Sequence, residues 1–298
     1  MFSSSAALFI CALCLQGTCN ENRGVQFRLN FLSLESVTVI IPTYRPEDYL
    51  AQCLDSLDLQ TLAKDYFRVI IVLNGDRDPF WSMINNWCES KALRYELIYT
   101  QTKGVSNARN IALDKVSTPF VAFIDDDDYV SPDYLKSLFE CINDNPEGTV
   151  ACSDVRTFDE KGNFGSDYIS RAYNKAVASG GKSSMFSRRR FLSSSCCKLI
   201  PMSIIGQRRF NPEVRIGEDS LFMASISDRI TSIMPASDNA IYYRRLRMGS
   251  ATRSKEPLLT RIRRKISLIG RYIGIYINGY PAYSIVLFMT RIVAIIKS

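Results

Sequence analysis

The sequence predicts an α/β fold: a doubly wound, mostly parallel sheet with helices on both faces, followed by a C-terminal helical tail. Three observations carry this. Short apolar runs, Val37–Pro42, Phe67–Leu73 and Phe120–Ile124, lack the alternation of half-exposed strands and read as strands buried on both faces. Segments with helical spacing separate them, as a parallel sheet requires. Polar residues stand at the carboxyl ends of these runs (Thr43, Asn74 and Asp125–Asp128), where ligands gather in such sheets. The 298 residues suit one large α/β domain or two small ones.

Along the chain, Ala6–Leu15 is apolar but no Lys or Arg precedes it, and Gln16-Gly17-Thr18-Cys19 is a poor cleavage region. At about ten residues the stretch is too short for a bilayer span. Residues 1–36 are read as a poor anchor or, by preference, an N-terminal extension arising from an upstream start, in either case outside the fold. Pro42 stops the first strand, and Thr43-Tyr44-Arg45-Pro46 turns into a helix with Leu50, Cys53, Leu54 and Leu57 on one face. Asn74-Gly75 ends the second strand. Trp81–Trp87 follows as helix, and Leu93–Tyr99 as the third strand. Gly104–Leu113 is a loop entering a helix, Phe120–Ile124 the fourth strand and Asp133–Cys141 a helix. Beyond 150 the pattern weakens. Thr149–Ser153 and Ala240–Arg244 read as strands and Leu221–Ile226 as a helix after Gly217-Glu218-Asp219-Ser220. Residues 179–198, rich in Ser, Gly and Arg around Arg188-Arg189-Arg190, read as a basic loop near an anionic ligand or as a plain solvated loop. The expected organisation is a ligand-binding half over 37–150, a second half of the same domain over 151–255, and a basic, apolar tail over 256–298.

Charge is unevenly spread. The net charge is +7, yet from Arg244 onward twelve Lys and Arg face one acid, Glu256, a local +11. A basic tail rich in Ile, Leu and Tyr points to an anionic membrane surface, and its apolar content favours lipid over nucleic acid. Tyr272–Thr290 is uncharged but interrupted by Gly274, Asn278, Gly279 and Pro281, so the tail is expected to lie in the interface or to pack on the domain. Nine cysteines, mostly in apolar contexts, suit free thiols in a reducing compartment. The chain has no histidine, which excludes a His-based triad and leaves a carboxylate as the leading candidate for a general base.

Asp125–Asp128 are four consecutive carboxylates at a strand end. Their mutual repulsion is relieved by a bound cation, and hard oxygen ligands favour Mg²⁺ or Mn²⁺, ions that bring phosphates with them. On an extended strand end Asp125 and Asp127 would share a side and reach one ion. A solvated acidic turn is the plainer alternative.

Five segments in order resemble family-2 glycosyltransferases with the Rossmann-like GT-A fold. They are Val37–Tyr44, Gly104–Asn110, Phe123–Asp128 with its Asp-x-Asp pattern, Gly217-Glu218-Asp219, and Tyr242-Tyr243-Arg244 with Ser250-Ala251-Thr252-Arg253. The resemblance spans about 37–253. It implies metal-dependent transfer of a sugar from a nucleotide-diphosphate donor, UDP by default, to a glycan or lipid-linked acceptor, with inversion, in bacterial surface-polysaccharide synthesis. It places Asp127, with Asp125, on the metal (Mn²⁺ or Mg²⁺). It places Pro42, Thr43, Tyr44, Asn74, Arg109, Asp125 and Asp126 around the nucleotide sugar. Asp125 is expected at the ribose, and Asp126, at the variable position, is expected to face away. Asp219 would deprotonate the acceptor beside Glu218, the alternative for that pair being helix capping. Arg109 would pair with phosphate or orient a carboxylate, the alternative being a structural ion pair. Where the family commonly has Asp-Asp-Gly-Ser, this chain has Leu73, Asn74 and Gly75. Leu73 cannot accept a hydrogen bond from a base, whereas Asn74 can. The expected location is cytoplasmic, peripheral at the inner face of the cytoplasmic membrane. The rival readings are an Asp-nucleophile phosphohydrolase and a non-catalytic nucleotide-sugar-binding protein at the membrane.

Overall fold

A computed structural model of the chain describes residues 35–143, 147–179, 189–247 and 257–297. The expected extension over 1–36 lies almost wholly outside the described residues, as do Arg188 and Ser250–Arg253. β1 (Val37–Thr43), β2 (Phe67–Asn74), β3 (Tyr95–Thr100) and β4 (Phe120–Phe123) run parallel in the order β3-β2-β1-β4. All seven residues of β1 are buried, as its unbroken apolar pattern requires. The chain steps outward from β1 to β3 on one side and then crosses to β4 on the other. The carboxyl ends of β1 and β4 therefore form a topological switch point, which leaves an open crevice.

Two further parallel strands, β6 (Thr149–Cys152) and β10 (Ser232–Pro235), extend the same sheet. Between β4 and β6 lies β9 (Lys198–Pro201), antiparallel to both. The boundary expected at 150 thus falls inside β6, and the second half of the chain supplies β9 and β10 to the first half's sheet. A second sheet has the order β5-β11-β7-β8, from β5 (Tyr129–Val130), β11 (Ile241–Leu246), β7 (Asp154–Asp159) and β8 (Phe164–Ser166). The late strand expected over 240–244 is β11, and it belongs to this second sheet. Asp125–Asp128 span the step from β4 in one sheet to β5 in the other.

Helix α1 (Asp48–Asp58) buries Leu50, Cys53, Leu54 and Leu57, the face read from the sequence. It is followed by α2 (Phe80–Glu89), α3 (Val105–Leu113), which packs on β1 and β2, and α4 (Tyr134–Asn143). Then come α5 (Tyr168–Ala178), a short α6 (Met202–Ile205) and α7 (Glu218–Ser225). Neither α5 nor β9 was expected. The serine-rich stretch read as a loop is, over its described part, ordered and largely buried from Phe191 to Lys198. The six described cysteines are free thiols.

The tail forms two helices, α8 (Leu258–Asn278) and α9 (Ile285–Lys297). Gly274 does not interrupt α8, and the break comes at 279–284. One face of the tail is packed on the domain. Tyr272 is fully buried and its Oη lies 2.9 Å from Ser220 Oγ of α7, while Tyr283 Oη donates to the Ser225 carbonyl at 2.7 Å. Among the described residues no helix is long and apolar enough to cross a membrane.

Candidate active site

The crevice at the ends of β1 and β4 is organised around Arg109 of α3. Its side chain is 2% exposed and forks between two carboxylates: Nη2 to Asp125 Oδ1 at 2.7 Å, and Nη1 to Asp219 Oδ1 at 2.5 Å. Glu218 Oε1 is 3.9 Å from the same Nη1, and the guanidinium lies over the Phe210 ring. Burial alone would lower the arginine pKa, but Asp219 and Asp125 outweigh it and push it up. Arg109 is thus ion-paired with two carboxylates at once. Residues 16 and 110 positions away in the chain meet on its two arms.

Asp219 and Glu218 open α7 after Gly217, whose φ of 89° suits glycine and where an added Cβ would meet Leu268 Cδ2 of α8 at 3.1 Å. The helix N-terminus favours both negative charges. Asp219 takes further donors that sequence reasoning missed: Ser195 Oγ at 3.1 Å, Ser195 N at 3.2 Å and Ser194 Oγ at 3.3 Å. Its carboxylate is thus committed across the crevice rather than to capping its own helix. The Ser194–Cys197 turn is stapled by the fully buried Lys198, whose Nζ donates to the carbonyls of Ser194 and Cys196 at 2.8 and 2.9 Å. Burial, reinforced by the negative charge of Asp219, pushes the Glu218 carboxyl up to about 7.

The four carboxylates do not continue the strand. Asp128 N donates to Asp125 O at 3.1 Å, closing a turn. The alternation expected of an extended end is lost, and each side chain finds a different partner. Asp125 goes to Arg109. Asp126, expected to face away, accepts from Thr43 Oγ1 at 2.6 Å, and burial pushes its carboxyl up to about 7. Asp127 Oδ2 pairs with Arg247 Nε at 2.7 Å. Asp128 is buried and accepts from Arg245 N at 2.8 Å, tying the turn to β11. Burial, compounded by repulsion within the run, raises the carboxyl pKa of Asp127 and Asp128 as well. Arg245 and Arg247 were counted in the sequence only as part of the basic tail. The structure brings both to this turn.

The other predicted donor-side residues are gathered here with differing freedom. Pro42 is buried within β1, opposite Val72. Asn74 is buried with both amide groups in use: Nδ2 donates to Thr43 O at 2.7 Å and Oδ1 accepts from Gly104 N at 2.9 Å. Its side chain ties the ends of β1 and β2 to the loop before α3. Tyr44 is exposed and lies over Gly75, where a Cβ would meet the ring at 2.6 Å. Arg45 and Lys103 flank that ring.

The donor set fits a divalent cation. Among the described residues no three or more His, Cys, Asp or Glu side chains converge to cage a metal. The turn does offer hard oxygens whose ionised forms are disfavoured without a counter-charge, and Arg247 provides one at Asp127. Asp127 and Asp125 are the residues of this turn that would hold a divalent cation.

A parallel-dominated sheet with a switch-point crevice, an acidic turn leaving its fourth strand and an arginine joining that turn to a Glu-Asp helix start define a GT-A fold. The sequence profile of glycosyl transferase family 2 matches residues 38–207, and the chain belongs to that family. Membership sets aside the phosphohydrolase alternative. The chain is 26% identical over 231 residues to glycosyltransferase GlyA of Streptococcus pneumoniae, covering 74% of this chain and 32% of that protein. It is 26% identical over 214 residues to the poly(ribitol-phosphate) beta-N-acetylglucosaminyltransferase TarS of Staphylococcus aureus, covering 71% and 36%. The chain thus spans about a third of the length of these relatives. The structure of S. aureus TarS residues 1–349 with UDP-GlcNAc matches with a TM-score of 0.64 at 22% identity, covering 80% of this chain and 66% of that one. A mannosyltransferase from Pyrobaculum calidifontis in complex with GDP-Man and Mn²⁺ matches with a TM-score of 0.60 at 16% identity, covering 86% and 68%. At these identities the two structures establish the shared fold.

Proposed function

We propose that the protein transfers a sugar from a nucleoside-diphosphate donor, UDP by default, to a hydroxyl of a glycan or lipid-linked acceptor. The transfer proceeds with inversion and a divalent metal, in the building of a bacterial cell-surface polymer on the cytoplasmic side of the membrane. The observation that carries the reading is the Arg109 fork, which puts the first carboxylate of the acidic turn and Asp219 on one buried cation. Donor-side and acceptor-side groups are thereby held in a fixed relation, as in-line displacement at one carbon requires. The glycosyltransferase relatives and the nucleotide-sugar complexes of the structural neighbours support it.

In this reading Asp219, oriented by Arg109, Ser194 and Ser195, accepts the proton of the acceptor hydroxyl as it attacks. Asp125, 40% exposed at its side chain, accepts from the donor's ribose. Thr43 and Tyr44 line the nucleotide side, and Asp126 reaches it through Thr43. A cation at Asp127 would supply positive charge opposite the leaving diphosphate. Arg247 would then exchange Asp127 for phosphate oxygen.

Donor hydrolysis with a panel of UDP- and GDP-sugars, with Mn²⁺ and with chelator, tests this. Wild type is expected to release nucleoside diphosphate only with metal, and Asp127→Asn to lose about 10²-fold or more. Full activity in Asp127→Asn, or in excess chelator, would remove the metal from the reading.

A further inference from the structure

The tail's packed face leaves the opposite face uncovered, and that face is aliphatic. On α8, Ile262, Ile266, Ile273 and Ile277 recur at i, i+4, i+11 and i+15, a single helical stripe. All four are exposed. On α9 a second stripe follows Ile285, Met289, Val293 and Ile296, also exposed. Lys265 Nζ donates to Ile296 O at 3.2 Å and the Tyr276 ring packs on Phe288, so the two helices form an antiparallel hairpin. Twelve of the eighteen large apolar side chains exposed among the described residues lie in this hairpin. An exposed cluster of this kind marks an interaction surface rather than scattered surface residues.

The charge of the hairpin identifies the partner. Residues 257–297 contain seven Lys and Arg and no acid. Arg271 is answered by Glu213 of the domain, but face-to-face pairing with a second copy would bring the two Arg261–Lys265 clusters together, and the hairpin itself holds no acid to offset them. An anionic lipid surface meets both properties at once: headgroups for the cations and acyl chains for the stripes. Neither helix is long and apolar enough to cross a membrane. We propose that the α8–α9 hairpin docks in the plane of an anionic leaflet through these two aliphatic stripes, and by its inner face fixes the orientation of the active site to that leaflet. The inner face is bolted to the helix that carries Glu218 and Asp219: Leu268 lies against Gly217 and Tyr272 bonds Ser220. The leaflet contact is independent of the glycosyl-transfer reading; only the benefit to a lipid-linked acceptor rests on it.

The test is flotation of the full chain with vesicles of phosphatidylcholine alone or with a third phosphatidylglycerol, at low and high salt, beside light scattering for oligomeric state. Wild type is expected to float with anionic vesicles and to be released at least tenfold by high salt or by omission of the anionic lipid. Ile262→Asn/Ile266→Asn/Ile273→Asn should reduce the bound fraction at least tenfold at low salt. The stripe is solvent-exposed and outside the crevice, so the melting temperature and any metal-dependent donor hydrolysis should be unchanged. Equal binding to neutral vesicles, or wild-type binding by the triple variant, would overturn the proposal. So would a wild-type dimer that the triple variant dissociates while neither floats, since the face would then belong to a second copy. Failure of all donors with intact flotation would count against the transferase reading alone.

Discussion

Replacing Arg109 by methionine keeps an unbranched stem but ends it short of the guanidinium, and removes the charge. In the folded protein Asp219 and Asp125 lose bonds of 2.5 and 2.7 Å, and Glu218 loses its nearest cation. Removing one partner of a buried pair costs about 3–5 kcal/mol, chiefly from the charge left behind. Asp125 is 40% exposed and solvent takes up much of its charge, so the cost falls chiefly on Asp219 and the lower part of that range is expected, still a large fraction of a total stability of about 5–15 kcal/mol. Arg109→Lys retains the charge, but a single ammonium cannot span both carboxylates, and about 2 kcal/mol is expected from the lost bond. Urea unfolding at pH 7 measures these differences. The double variant Arg109→Met/Asp219→Asn separates charge from packing: if the cost is electrostatic, it is more stable than Arg109→Met alone. A loss below about 1 kcal/mol in Arg109→Met, or no recovery in the double variant, would refute the picture of Arg109 as a buried counter-ion.

Asp219→Asn should lower the turnover rate by about 10²–10⁴-fold while leaving nucleotide affinity nearly unchanged; collapse of nucleotide binding in calorimetry would assign Asp219 to the donor instead. The carboxyls of Asp126 and Glu218, pushed up to about 7, give the metal-free protein a pH-dependent stability. Their unfolded values are about 4, so the folded state holds more protons between those limits. Their contribution is complete below about pH 4 and is lost as pH rises through about 7. In chelator the melting temperature should therefore fall between pH 5 and pH 8, and Asp126→Asn with Glu218→Gln should flatten the slope. A melting temperature that climbs over this interval in the wild type would contradict the assignment.

The parallel core was legible because its strands are apolar on both faces. β1 and β2 needed nothing but their own residues to be recognised, and α1 announced its buried face by spacing. β9 was not legible. It is four residues long, carries a buried lysine and follows a serine-rich stretch, so its composition resembles a loop. The reason it is buried lies in the neighbours it finds, β4 and β6, which are distant in sequence. The same holds for the site. Asp125–Asp128 and Glu218-Asp219 stood out as charges, but the turn that sends four carboxylates to four partners is a tertiary property. Ser194 and Ser195 carried no signal beyond abundance, and Arg245 and Arg247 were hidden in the tail's charge count. The tail's aliphatic content was visible; that one side of it would seat on α7 was not.

The late arrival of β9 bears on the order in which the protein assembles. Residues 37–123 carry β1 to β4 and can pair among themselves as soon as they are made. Until residues 198–201 are available, however, β4 keeps one side open, and the large sheet cannot extend to β6 and β10. An apolar strand with an unpaired edge is a template for pairing with another chain. During synthesis at about 5–20 residues per second, the interval between β4 and β9 lasts several seconds. The nascent chain is most exposed to intermolecular strand pairing in that interval, and a fragment ending before β9 retains that open edge permanently.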